Sequence, residues 1–330
     1  MTHDDSAGGV RIRLFDADRT DRTLTLDEAL ASKVSARQLL WVDLAGATDP
    51  EQIGALAAQF DLDIATQRSL ATPSSRPQIE LHGKHFHLRV AAEPDPSRLS
   101  EIEWLDLVAA PNVVLTSHAR PLAFLDATNE RIAVDASIGE LDSAEFVASM
   151  LDAIVTTYHG AIDGLEDELD EIDAKALASP GMGELFGKLV AIRRRIGRLR
   201  RLLAAHRELF AALGRPDFGR GVASADPDVF LSVAARFEGA IQSLESTREV
   251  VLGSFDILMT RTAQRTNDVM RVLTVATVMA LPATITAGFL GMNVIVPVPN
   301  DDPAAFWLIL GIVLLFELGV VLVARWRGWI

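Results

Sequence analysis

The 330-residue chain has no cysteine. That absence excludes disulfides, thiolate metal sites and cysteine nucleophiles. Residues 10–150 contain no phosphate loop, no Gly-x-Gly-x-x-Gly turn and no Gly-x-Ser-x-Gly elbow, so nothing there proposes catalysis. Positive charge is also in short supply. A net charge of −14 argues against nucleic acid as a partner and suits the attraction of cations. The first residues, Met1-Thr-His-Asp-Asp-Ser-Ala-Gly-Gly, lack the basic and apolar regions of a signal peptide, which predicts a cytoplasmic N-terminal part. Long apolar runs are missing everywhere except in the last 61 residues.

In those residues two apolar runs of 21, Met270–Leu290 and Ala304–Ala324, flank Gly291-Met292-Asn293 and a short polar loop. At ~1.5 Å per residue, about 20 helical residues cross a hydrocarbon core of ~30 Å. Each run is too long for an ordinary core helix, and the second is apolar on every face apart from Glu317. Arg261, Arg265 and Arg271 precede the hairpin and Arg325 and Arg327 follow it, while the loop carries only Asp301 and Asp302. Basic flanks stay inside, so both termini are expected in the cytoplasm and the loop outside. Glu317 is costly in a bilayer unless paired or neutral, and a hydrogen bond near Thr274–Thr277 is expected for it.

Residues 1–150 read as a mixed α/β cytoplasmic domain. Arg11–Phe15, Leu39–Leu44, Gln78–Leu81, His85–Ala91, Glu103–Ala109 and Asn112–Thr116 have strand character. Pro50–Phe60 reads as a helix capped by Asp49, and Gly83-Lys84 as a hairpin turn. On a strand His85 and His87 share a face, with His82 near the turn, so a metal site is geometrically possible. Half-solvated structural histidines are the preferred reading, because no carboxylate or cysteine partner is evident in the sequence.

Residues 151–226 read as a helical hairpin. An acidic block (Asp163, Glu166, Asp167, Glu168, Asp170, Glu171 and Asp173) precedes the turn at Ala178–Gly183. A basic block follows it, with Lys188, Arg193, Arg194, Arg195, Arg198, Arg200, Arg201 and Arg207. Pairing between the two arms is expected. From Asp228 no proline interrupts until Pro282, so residues 227–290 form one stalk helix of ~90 Å that continues into the first membrane run. A helix that long implies a bundle or an oligomer.

Asn267, Met270, Leu273, Thr277, Leu281, Thr284 and Gly288 recur at spacings of three and four along one side of that helix. Two readings fit the face equally: rings of amide, hydroxyl and hydrocarbon around a pore, or a helix-packing seam.

Thr266-Asn-Asp-Val-Met-Arg-Val-Leu-Thr-Val-Ala-Thr277, Leu281-Pro-Ala-Thr, Ala287-Gly-Phe-Leu and Gly291-Met-Asn resemble the CorA family of divalent-cation channels, the two-transmembrane superfamily with a Gly-Xxx-Asn signature. Trp41-Val-Asp-Leu, Arg76-Pro-Gln-Ile-Glu and Val114–His118 are similar to its cytoplasmic domain, and Arg325-Trp-Arg-Gly-Trp to its basic tail. The resemblance implies a homopentamer in a cell (inner) membrane, without nucleic-acid partners or a resident cofactor, that passes Mg²⁺ (and Co²⁺ or Ni²⁺ in some members) down its electrochemical gradient. It implies an extracytoplasmic Gly-Met-Asn loop over residues 291–303, a second membrane helix at 304–324 and a basic cytoplasmic tail at 325–330. Asn293 is then the filter, holding the hydrated ion through its water shell, with Gly291 permitting a tight turn. Met292 packs, its thioether being too soft for magnesium. Thr284, Thr277, Asn267 and Asp256 are the inner rings, Leu281, Leu273 and Met270 the apolar constriction. Asp256, Asp301 and Asp302 are further candidate metal ligands. The chain departs from many magnesium-type relatives at Leu290, where they have an aromatic residue. At Ser232 some magnesium-gated members have an acidic sensing residue. Those departures keep the ZntB-like zinc-transporting branch as the alternative. A membrane-anchored scaffold is the competing reading from another class, and an enzyme has no assembled nucleophile, base or metal triad to support it.

Overall fold

Alternating apolar residues and short turns build a seven-stranded sheet in the N-terminal part of the chain. The computed structural model describes residues 9–18, 20–46, 49–72, 74–95, 102–132, 142–178, 182–215, 218, 227–292 and 303–328. The strands are β1 (Val10–Asp16), β2 (Arg22–Thr23), β3 (Gln38–Ala45), β4 (Gln78–His82), β5 (His85–Ala92), β6 (Glu103–Ala110) and β7 (Val113–His118). Their order is β2-β1-β3-β7-β6-β5-β4. Only the β3–β7 pair is parallel, and β5, at its β4 and β6 neighbours, is antiparallel on both sides.

One face of the sheet is covered by α1 (Leu26–Ala31), α2 (Pro50–Gln59) and α3 (Ile64–Ala71). Ala29, Ile53, Leu56 and Leu70 from these helices join Ile12, Leu14, Leu40, Val42, Leu44, Val108 and Leu115 in one core. Each helix start is fixed by its own side chain. Thr25 and Glu28 form a capping box for α1, Asp49 accepts from Glu51 N–H ahead of Pro50, and Asp63 accepts from Thr66 N–H at 2.9 Å. The predicted Asp49 cap and the Gly83-Lys84 turn are both present, and Gly83 takes the left-handed conformation (φ +46°) that the turn needs.

The other face meets α4 (Ala123–Ile132), α5 (Ser143–Ala178) and α7 (Pro227–Leu290). Phe15 and Trp41 pack on Phe146 of α5, and Phe86 on Phe230 of α7. Buried residues of α5 (Leu151, Ile154, Tyr158, Ile162, Leu165 and Leu169) recur every three or four positions, as do Leu189, Ile192, Ile196, Leu199 and Leu203 of α6 (Met182–Leu213). The expected pairing of acidic and basic arms is realised at Arg195, whose guanidinium binds Glu168 through both nitrogens at 2.6 and 2.9 Å. Arg200 and Arg207 instead reach Glu245 and Glu238 on α7.

The chain divides into two compact units, Met1–Lys175 with Gly187–Gly253, and Ala176–Phe186 with Ser254–Ile330. In the second unit α7 ends at Leu290, and α8 (Pro303–Trp326) follows. Both carry windows long and apolar enough to cross a membrane.

Candidate functional site

Within the second unit, α7 has two opposite sides. Val275 is buried, and Met279, Pro282 and Thr286, in phase with it, are half-buried. This side turns toward α8, where Thr274, Val275 and Val278 share a cleft with Phe316, Gly319, Val320, Val323 and Ala324. Asn267, Met270, Leu273, Thr277, Leu281, Thr284 and Gly288 lie roughly half a turn around the helix from it. All seven are exposed, Met270, Leu273 and Leu281 by 55–58%. Asp256 is exposed three turns before Asn267 on the same side. The packing seam between α7 and α8 therefore uses the other face, and the polar stripe has no partner among the described residues.

The stripe has a defined polarity. Thr277 Oγ1 donates to the Leu273 carbonyl at 2.8 Å and Thr284 Oγ1 to Ala280 at 2.7 Å. Each hydroxyl proton is thus taken by its own helix. What remains outward is oxygen lone pairs, the groups that accept hydrogen bonds from the water around a cation.

At the end of α7, Gly291 N–H donates to Ala287 at 2.9 Å and Met292 N–H to Phe289 at 3.4 Å. Gly291 does not adopt a left-handed backbone. A Cβ at this position would sit a tight 3.1 Å from the Ala287 carbonyl oxygen. Asn293, Asp301 and Asp302 lie outside the described residues. Ser232 is exposed on α7 and donates to its own helix at Val229.

Glu317 is half-buried, in phase with Ile309, Val313, Val320 and Ala324 on the α8 side that faces α7. The expected hydrogen bond to Thr274 or Thr277 does not form among the described residues, because both hydroxyls donate to their own helix. Val275 and Ala324 are the buried positions of the pair.

The histidines fall differently from the sequence reading. His82 and His85 are cross-strand partners in the β4–β5 hairpin, and Glu80 faces His87 two pairs along, on the same face of the sheet. Register gathers Glu80, and the α3 cap contributes Asp63, so carboxylates stand beside the imidazoles after all. The Asp63 side chain lies 2.5 Å from His82 Nδ1, and Glu80 3.3 Å from His82 Nε2. The sequence signal for Asp63 was its place as a helix cap; Glu80 required the strand register.

The family model described as CorA-like Mg²⁺ transporter protein matches residues 36–325. The cobalt/magnesium transport protein CorA of Methanocaldococcus jannaschii is 24% identical over 89% of this chain and 92% of its own length. Its complete structure superposes with a TM-score of 0.73 at 21% identity, covering 97% of this chain and 98% of that one. The divalent cation transporter CmaX of Pseudomonas aeruginosa is 27% identical over 73% of this chain and 71% of its own. The ZntB cytoplasmic domain from Vibrio parahaemolyticus shares the fold at a TM-score of 0.55 and 14% identity, over 78% of this chain and 99% of that one.

Proposed function

The chain belongs to the CorA-like Mg²⁺ transporter family, and from that premise we propose that it is a passive divalent-cation channel of a cell membrane, most suited to Mg²⁺. The observation that carries this reading is the stripe from Asn267 to Gly288, polar and small residues spaced by apolar ones, exposed on the side of α7 away from α8. In a homopentamer, five such stripes facing an axis form alternating rings of amide, hydroxyl and hydrocarbon.

The chemistry suits a hydrated ion. Mg²⁺ releases its waters reluctantly and prefers oxygen ligands. Asn293 carboxamides at the outer mouth accept hydrogen bonds from the hydration shell without stripping it, and Thr284, Thr277 and Asn267 repeat that acceptance inward. Asp256 adds negative charge at the cytoplasmic end, with Asp301 and Asp302 collecting cations outside. Met270, Leu273 and Leu281 form a constriction that closes by dewetting. The driving force is electrical. Each charge gains ~2.3 kcal/mol per 100 mV on entering a negative interior, so no nucleotide hydrolysis is needed and the protein acts as a transporter rather than an enzyme.

The basic flanks at Arg261, Arg265, Arg271, Arg325 and Arg327 support an orientation with both termini in the cytoplasm. The test is Mg²⁺ uptake into liposomes containing the purified chain, with Zn²⁺ as competitor. The wild type takes up Mg²⁺, Asn293→Ala reduces uptake to the rate of empty liposomes, and Zn²⁺ inhibits only weakly. Unchanged uptake in Asn293→Ala removes the filter, and Zn²⁺ flux that excludes Mg²⁺ moves the protein to a zinc-transporting role.

A further inference from the structure

We propose that the β4–β5 hairpin and the first turn of α3 form a second metal site, with Asp63, His82 and His85 as ligands for a borderline transition-metal dication such as Zn²⁺, Co²⁺ or Ni²⁺. It involves none of the residues on the α7 stripe and stands independently of the transport reading.

The two histidines are brought together by strand register, directly across the hairpin, with rings stacked at 4.9 Å. The third group comes from a different element. Asp63 caps α3 with one carboxylate oxygen on Thr66 N–H, and its other oxygen lies 2.5 Å from His82 Nδ1. One ligand atom from each of the three residues lies within 4.8 Å of the other two. A tetrahedral shell with bonds of ~2.0–2.1 Å has edges of about 3.3 Å, so Asp63 and His82, in contact at 2.5 Å, part slightly around the ion as both draw toward His85. Solvent access along Asp63 leaves a fourth position for water.

The surroundings match what metal-bound imidazoles require. Glu80 lies 3.3 Å from His82 Nε2, so that nitrogen can donate its proton to a carboxylate while Nδ1, 2.5 Å from Asp63, exchanges that contact for one to the ion. Thr66 Oγ1, 3.0 Å from His85 Nε2, fixes the second ring. A second observation is independent of these three ligands. His87 is fully buried with Nε2 on Asp106 at 2.8 Å, but its Nδ1 has no hydrogen-bond partner among the described residues and points toward Glu80 at 3.9 Å. A spare buried nitrogen borders the cluster, within reach of the carboxylate that orients His82.

The donor set decides the ion. Imidazole nitrogen suits Zn²⁺, Co²⁺ and Ni²⁺, whereas Mg²⁺ is held by oxygens and water.

Co²⁺ titration of the full-length protein in detergent, followed by visible absorption, tests the site. The expected result is one Co²⁺ per chain with nitrogen-ligated d–d bands, displaced by Zn²⁺ but not by a hundredfold excess of Mg²⁺. His82→Gln weakens binding at least tenfold. Asp63→Asn does likewise while retaining the helix cap, because asparagine caps as well as aspartate. Co²⁺ bands and affinity that are unchanged in both variants, or displaced by equimolar Mg²⁺, overturn the proposal. So does a wild type with no such bands.

Discussion

Ala91, in the middle of the β5 end, is held from two sides. Its N–H donates to His206 Nε2 at 2.9 Å, and its carbonyl accepts from the Tyr158 hydroxyl at 2.6 Å. His206 Nδ1 carries the proton and donates to the Leu202 carbonyl at 2.8 Å. Protonating Nε2 would destroy the Ala91 bond, and burial pushes the His206 pKa down to about 4. The unfolded chain binds that proton near pH 6.5, so between pH 6.5 and 4 unfolding takes up a proton. Stability from His206 is therefore complete above pH 6.5 and lost on acidification, by at most ~1.4 kcal/mol per pH unit. His118 works in the opposite sense. Burial opposes its charge, but Asp43 at 3.1 Å and the Arg120 carbonyl at 2.6 Å outweigh burial and raise its pKa. Its contribution is present below the unfolded pKa and is lost as pH rises through the folded one. Chemical melts from pH 4 to 8 check both: His206→Gln flattens the acid limb, and His118→Gln flattens the neutral-to-alkaline side. A pH profile identical to wild type in either variant contradicts the corresponding assignment.

At the scale of elements, α7 assigns opposite jobs to opposite sides. Val275, Met279, Pro282 and Thr286 turn toward α8, while Met270, Leu273 and Leu281 stand exposed among polar neighbours. If these three form the dry constriction, Leu273→Ser wets it. Resting Mg²⁺ uptake should rise on the order of tenfold, the factor given by ~1.4 kcal/mol off a barrier; an unchanged rate places the gate elsewhere. This face was legible in the sequence because a period of 3.6 needs no tertiary information. The longer strands were legible for the same reason. The short elements were not. α1 has six residues and β2 two, too few for periodicity to emerge, although Thr25 and Glu28 already spelled a capping box. α3 and α4 were missed as well, since neither carries a long apolar stripe. The hairpin metal cluster depended on contacts no periodicity reveals: Asp63 is 19 residues from His82 in the chain and meets it through the docking of α3 on the sheet.

At the scale of the whole molecule, a single chain leaves a large apolar surface uncovered on its two membrane-length helices. Val269, Val272, Leu273, Leu281 and Phe289 on α7, and Trp307, Leu315 and Leu318 on α8, are each more than half exposed. In the proposed channel a bilayer covers the outward share of this surface, and neighbouring copies cover the rest. Native mass spectrometry from detergent should report five chains of 35.7 kDa, whereas a stable single chain would leave the stripe with no axis to line. The chain's lack of cysteine permits a sharper test. Thr284 lies on the stripe, and Thr286, two residues on, faces α8. Each is replaced singly by cysteine, the protein is reconstituted in liposomes, and Mg²⁺ uptake is measured before and after a charged, membrane-impermeant thiol reagent. The account predicts that the reagent blocks uptake through Thr284→Cys and leaves Thr286→Cys at its untreated rate; block at Thr286→Cys with Thr284→Cys spared would contradict it.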